Sequence, residues 1–296
     1  MMPLMLTFGS GGESLARSVA ALTGFPLLMP NRRIFPDGEQ YLRIEGDVNG
    51  QDVAVFQSLA FQPDPLLIEY SLIVDALKGG GVRSVVGVIP YLAYARQDQV
   101  FRPNEPLSAR LIPRLIESVG TDRVITVDMH LHRFKEPGEV FRMPAQNLTA
   151  MPLLARHYRE HGRASAVIVV GPDSESEQWV RVVARELGAP CVVLEKERFG
   201  DREVKIRGEL PLKGRTALVV DDIVSTGKTM IEVITRLKSE GAQRVDALVS
   251  HALLVEGAKK KMKDAGLNEL IYSDTIPGGD AQVSVAPLLA KSLKNL

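Results

Sequence analysis

Short runs of β-branched residues alternate with segments of helical period along most of this chain, and that alternation constrains the fold more than any other feature. "LMLTF" precedes "ESLARSVAALTG", "DVAVFQSL" precedes "LLIEYSLIVDALKGGG", and "SVVGVIPYL" is followed by "LSARLIPRLIESVG". The pattern returns in "SAVIVVGPD" with "SEQWVRVVARELG", in "PCVVLEKER", in "TALVVDDIV" with "MIEVITRLKSEG", and in "RVDALVSHALL". Strands separated by helices pair in parallel, so the expected fold class is α/β, each sheet mostly parallel and flanked by helices. Helices should end at Gly24, Gly120, Gly188 and Gly241, where glycine accepts a left-handed cap. The series restarts around "MPAQNLTAMPLLARHYREHGRA". Two domains of similar architecture follow, with residues 1–145 in the first and 146–283 in the second.

At 296 residues the chain has room for two ordinary cores. Thirty-six basic residues balance thirty-six acidic ones, so no net field draws it to nucleic acid or to an anionic membrane. Its single cysteine, Cys191, excludes an internal disulfide and fits a reducing compartment. Apolar neighbours suggest a buried, structural thiol. No apolar run approaches the roughly 18 residues of a membrane span, and the N-terminal stretch has no basic region before its apolar residues. A cytoplasmic protein is expected.

The chemistry is concentrated in "RTALVVDDIVSTGKTM", Arg215 to Met230. Its Gly-Lys-Thr suggests a nucleotide P-loop, but the first glycine of that motif falls at Asp222, where a carboxylate would repel phosphate. The stretch instead reads as two carboxylates at a strand end, a Ser/Thr/Gly turn and a helix. Backbone N–H groups of such a turn and of the helix N-terminus suit one phosphate. Asp221 and Asp222 are placed to accept hydrogen bonds from sugar hydroxyls, which together describes a pentose 5-phosphate site.

"VVDDIVSTGKT" resembles the PRPP (phosphoribosyl pyrophosphate) motif of type I phosphoribosyltransferases and of the ribose-phosphate pyrophosphokinase (PRPP synthase) family. Further segments favour the second. "FPDGEQ" is similar to that family's adenine-binding loop, "PYLAYARQDQ" to its P-Y-x-x-Y-A-R-Q-D-R segment and "TVDMHLH" to its D-x-H strand end. "GPD", "LEKER" and "SVAPLLAKSL" resemble its Asp-bearing loop, its Lys/Arg flap and its C-terminal helix. On its own "ARQDQ" would equally be an exposed mixed-charge loop, and a D-x-H strand end is more often structural.

The resemblance implies two type I phosphoribosyltransferase-like domains, with helix 284–296 packing back on the first. It implies transfer of a pyrophosphoryl group from ATP to ribose 5-phosphate, giving PRPP and AMP for nucleotide biosynthesis. ATP would be bound by Phe35, Asp37, Gly38, Glu39, Arg96, Gln97 and Asp98, residues 37–39 coming from a neighbouring subunit. Ribose 5-phosphate would be held by Asp221, Asp222, Ser225, Thr226, Gly227, Lys228 and Thr229, with Arg198. Lys196 and Arg198 would be catalytic, and His130 and Asp173 would be associated with Mg2+. A homo-oligomer built on dimers, up to a tetramer or hexamer, follows from the shared ATP site. If the strand continues, Asp128, His130 and His132 share one face. Lys196 and Arg198 likewise alternate with Glu195 and Glu197, on an arm that "RFGDREVKI" continues as a hairpin.

The sequence also departs from the family pattern. Ser225 stands where an acid is usual, Lys228 where glycine is usual and Gln99 where a second arginine is usual, and "PDSESEQWVRVVA" replaces a glycine turn. The chain ends at "KSLKNL", which predicts no tail-dependent allosteric inhibition. A regulatory paralogue without activity, or a phosphoribosyltransferase consuming PRPP, are the alternatives. Against the first, Lys196, Arg198 and His130 are all present; against the second stand the ATP-loop segments.

Overall fold

The computed structural model describes residues 4–162, 166–194 and 212–296. Lys196, Arg198 and the expected hairpin arm lie outside the described residues. The chain divides into two compact units, one of residues 1–148, 275–278 and 285–296, the other of residues 149–274 and 279–284.

In the first unit the order is β1 (Met5–Phe8), α1 (Glu13–Thr23), β2 (Pro30–Ile34), β3 (Gln40–Ile44), β4 (Asp52–Phe56), α2 (Pro63–Gly79), β5 (Ser84–Val88), α3 (Ser108–Ser118), β6 (Arg123–Val127) and β7 (Ala145–Leu148). Five strands form one sheet in the order β1-β4-β5-β6-β7, every neighbouring pair parallel. β2 and β3 form a separate antiparallel hairpin. β4 is buried from Val53 to Phe56, the near-continuous apolar run expected of a strand covered on both faces. Tyr70 of α2 is fully buried, its hydroxyl paired with Thr121 Oγ1 at 2.8 Å; burial pushes this phenol well above its ordinary pKa.

The second unit runs α4 (Met151–Glu160), β8 (Val167–Gly171), α5 (Glu177–Leu187), β9 (Cys191–Val193), β10 (Thr216–Val224), α6 (Lys228–Ser239), β11 (Arg244–Ala252), α7 (Ala258–Asp264) and β12 (Glu269–Tyr272). Its sheet has the order β12-β11-β10-β8-β9, again parallel throughout. A cluster of Ile168, Val170, Val219, Ile234, Leu237, Val245 and their neighbours forms the core. The chain then returns to the first unit as α8 (Ala286–Lys294). There Ser292 Oγ donates to Gln146 Oε1 at 2.7 Å and Lys294 Nζ to the Leu22 carbonyl at 3.2 Å.

Gly24 and Gly188 are left-handed C-caps with φ of 75° and 62°. Gly120 and Gly241 take φ of 102° and 90° one residue beyond their caps. Cys191 corrects an expectation: it is exposed. It opens the edge strand β9, where it is exposed while Val192 and Val193 are half-buried. Asp128 corrects another. β6 stops at Val127 and Asp128 takes a left-handed φ of 38°, so the strand does not carry its alternation through to His132.

Candidate functional site

In each unit several of the chemistry-bearing residues sit at or beyond the carboxyl ends of parallel strands, where ligands bind in open α/β sheets; Phe35 and Asp37 to Glu39 lie instead on the antiparallel hairpin. In the second unit, Asp173 follows β8, and Asp221 and Asp222 lie in the last part of β10, just before Ile223 and Val224 end the strand. Asp173 caps the short turn Ser174–Ser176, its Oδ1 accepting from the Glu175 N–H at 3.2 Å. Asp222 is 1% exposed, and its N–H donates to Asp221 Oδ1 at 3.0 Å. Burial, and then the neighbouring carboxylates Asp222 and Asp173, hold the Asp221 carboxyl well above the usual carboxylate range. Carboxylates gathered this way repel one another and call for a cation or for hydroxyl donors. Hard oxygen donors of this type suit magnesium, so Asp173 fits the expected metal.

Beyond β10 the turn Ser225–Thr226–Gly227 leads into α6. Gly227 is the N-cap, with φ 75°, and no side chain among the described residues caps the helix. The first N–H groups of a helix have no intrahelical partner, so this end presents donors to an anion. Lys228 is the first helical residue and is exposed. A cation in the first turn opposes the helix dipole by about 0.3–1 kcal/mol, a cost that a bound phosphate would reverse. The turn tolerates little change: a Cβ on Gly227 would lie 3.3 Å from Ala258 Cβ and 3.4 Å from Met262 Cγ, in a backbone conformation L-residues rarely adopt. Gly227→Ala is expected to cost about 1–2 kcal/mol, read by denaturant unfolding, and to raise KM for a sugar phosphate more than KM for a nucleotide. Equal KM changes would remove the turn from sugar-phosphate binding.

In the first unit, the loop after β5 carries Arg96, Gln97 and Asp98. Arg96 is exposed. Gln97 is tied to the start of α3: Ser108 Oγ donates to its Oε1 at 3.1 Å and the Ala109 N–H to its carbonyl at 3.1 Å. Asp98 departs from the expectation of a nucleotide-facing side chain. Its carboxylate is only 2% exposed and accepts from Arg133 Nη1 at 2.7 and 2.9 Å. Arg133 is a residue that sequence reasoning missed; its position directly after "DMHLH" carries no periodic signal. His130 and His132 precede Arg133 in the same loop, their ring centroids 3.4 Å apart. An imidazole nitrogen of His130 is a workable ligand for a divalent cation, whichever tautomer it adopts.

The "FPDGEQ" segment forms the tip of the β2–β3 hairpin. The Phe35 N–H donates to the Glu39 carbonyl at 2.8 Å, the Glu39 N–H to Asp37 Oδ1 at 3.1 Å, and Gly38 takes φ 94°. Asp37, Gly38 and Glu39 are exposed. Phe35 meets Tyr41 edge-on at 6.4 Å, and the Arg33 guanidinium lies 4.8 and 4.6 Å from the two ring centroids. Beside the hairpin a cavity of about 470 Å³ is bordered by Ser10, Arg32, Tyr41 and Glu69. Glu69 there accepts from Ser10 Oγ at 2.6 Å and from Arg32 Nη1 at 2.9 Å.

Comparison with known proteins fits this geometry. Residues 4–120 match the family model of the N-terminal domain of ribose phosphate pyrophosphokinase, and residues 138–286 that of the phosphoribosyl transferase domain. The class is thus that of enzymes built from phosphoribosyltransferase-type α/β domains. The chain is 36% identical to ribose-phosphate pyrophosphokinases of Methanopyrus kandleri, over 97% of both chains, and of Methanothermobacter thermautotrophicus, over 97% of this chain and 98% of that one. A crystal structure of phosphoribosylpyrophosphate synthetase from Mycobacterium smegmatis superposes with a TM-score of 0.89 at 30% identity, covering 99% of this chain and 98% of that one. The chain belongs to the ribose-phosphate pyrophosphokinase family. Among the described residues no helix is long and apolar enough to cross a membrane.

Proposed function

We propose that the protein transfers the β,γ-pyrophosphoryl group of ATP to O1 of ribose 5-phosphate, giving PRPP and AMP, in the cytoplasm. The observation that carries this reading is the end of β10: two carboxylates followed by an uncapped helix N-terminus that a left-handed glycine opens. Full-length kinship to ribose-phosphate pyrophosphokinases supports it.

In this reading residues 146–283 form the sugar-phosphate domain. Asp221 and Asp222 accept hydrogen bonds from the ribose hydroxyls, and residues 225–229 hold the 5-phosphate through backbone N–H groups, hydroxyls and the Lys228 ammonium. Residues 1–145 form the nucleotide domain. Arg96 and Gln97 contact ATP, and Phe35 with Asp37, Gly38 and Glu39 reach it from a second copy of the chain, so the active form is at least a dimer. O1 attacks the β-phosphorus, the bond from that phosphorus to the AMP oxygen breaks, and the O1 proton passes to solvent. Catalysis is then positioning and charge neutralisation. Lys196 and Arg198 neutralise charge on the transferring group. Asp173 and His130 would hold magnesium, which when bound neutralises the polyphosphate.

Turnover tests the reading. With ribose 5-phosphate, ATP and magnesium, mass spectrometry should find AMP and PRPP in equal amounts. Wild-type protein that yields no AMP would sink it.

A further inference from the structure

The loop after β5 is pinned on both sides of one exposed cation. Before Arg96, Tyr94 takes a left-handed φ of 67° and its hydroxyl is hydrogen-bonded to Asp64. After it, Gln97 is held by Ser108 and Ala109 at the start of α3. Asp98 is then buried against Arg133, whose guanidinium also lies 5.9 Å from the Phe101 ring centroid. Arg133 belongs to the loop after β6, the neighbouring strand, three residues beyond His130. The ion pair therefore ties the loop bearing Arg96 and Gln97 to the loop bearing His130.

We propose that the Arg133–Asp98 ion pair is a positioning device that fixes the loop after β5 to the loop after β6, so that Arg96 and Gln97 meet the nucleotide pre-organised. The proposal rests on the nucleotide role given above to Arg96 and Gln97. Its chemistry is asymmetric. A carboxylate that is 2% exposed and loses its partner must find solvent or another donor. Gln97 and Arg96 precede Asp98 directly in the chain, so a backbone shift that carries Asp98 toward a new donor moves them with it. Both bonds come from the single nitrogen Nη1, so lysine can keep the charge at position 133, though not the guanidinium contact with Phe101, whereas glutamine loses the charge. A loop that must be ordered on binding costs affinity, and it does so for the ligand it contacts alone. The effect should fall on ATP and not on ribose 5-phosphate.

The test measures affinity for α,β-methylene-ATP with magnesium by calorimetry, alongside steady-state KM for both substrates, in wild type, R133K, R133Q, D98N and the double variant D98N/R133Q. Melting curves establish that each variant is folded; with Arg133 itself 44% exposed, R133Q and R133K should be. R133Q and D98N are expected to bind the analogue roughly tenfold more weakly, the size of coupling seen between residues in direct contact. KM for ATP should rise in parallel and KM for ribose 5-phosphate stay at the wild-type value. R133K should recover part of the loss, and the double variant should be no weaker than the weaker single. Unchanged analogue affinity in R133Q overturns the proposal, as do equal losses for both substrates or losses that add in the double variant. The analogue arm does not need turnover. A wild type that binds the analogue yet makes no PRPP contradicts the proposed function alone, and the variants still decide the role of the pair.

Discussion

Lys196→Ala is expected to lower kcat by on the order of 10²–10³ or more, the loss seen when one pre-organised donor to a developing charge is removed. Protein content, unfolding midpoint and affinity for a nucleotide analogue should stay near wild type. The reason is chemical. Pyrophosphoryl transfer spreads negative charge over the moving group and the AMP oxygen, and the enzyme contributes little covalent chemistry, so each fixed cation acts almost wholly on the transition state. Asp173, Asp221 and Asp222 are acidic, and Lys228 follows the turn proposed to hold the 5-phosphate, so the proposed site needs further positive charge near the reacting phosphorus. In the proposed mechanism Lys196 and Arg198 would supply it, at i, i+2 spacing. Lys196 lies outside the described residues, and the expectation rests on its place in "LEKER" and on family membership. Rapid-quench or steady-state assay of AMP release measures it. A variant with unchanged kcat would remove Lys196 from the catalytic role.

The second large effect is structural. Gly12 lies at the turn from β1 into α1, and a Cβ there would sit 2.0 Å from the Phe56 carbonyl oxygen and 2.3 Å from its carbon. That carbonyl belongs to β4, inside the sheet, and already accepts the Gly9 N–H at 2.9 Å. The turn cannot retreat either, since the Gly11 N–H donates to buried Gln57 Oε1 at 2.9 Å and the Gly11 carbonyl accepts from the Ser58 N–H at 3.2 Å. Gly12→Ala is therefore expected to cost about 3 kcal/mol or more, the upper range for overpacked sites. Against the roughly 5–15 kcal/mol that stabilises an ordinary domain, that is a large share. Gly79→Ala is the matched control: nothing lies within 4 Å of its Cβ, and in a helix the change should be neutral or stabilising by up to about 1 kcal/mol. Urea unfolding followed by circular dichroism reads both. A Gly12→Ala protein unfolding at the wild-type midpoint would show that the turn yields where the packing says it cannot.

Parallel strands were legible because they are buried on both faces. "TALVVDDIV" is a near-continuous apolar run that stops at the chemistry, and Asp222 alone was enough to exclude a nucleotide P-loop. The carboxylate, turn and helix of the second unit follow directly from that reading. What stayed hidden depends on contacts between segments far apart in sequence. The burial of Asp98 is set by Arg133, thirty-five residues away, and no local pattern announces it. The strands flanking "FPDGEQ" alternate half-buried and exposed residues, with Ile34 74% exposed, so the hairpin lacks the apolar signal that marked the sheets. Cys191 looked buried because its neighbours are apolar, but it is the first residue of a short edge strand, where it is exposed. At Asp128, a left-handed turn ended a strand whose alternation was otherwise plausible.

In the proposed reaction β- and γ-phosphates move together from ATP to O1 of ribose 5-phosphate. ATP labelled with 32P at the γ-position, incubated with the protein, magnesium and ribose 5-phosphate, tests this most directly. The label should appear in a pentose carrying pyrophosphate at C1, in step with unlabelled AMP. Label in a sugar monophosphoryl product accompanied by ADP, or label that stays in ATP while ribose 5-phosphate is unchanged, would contradict it.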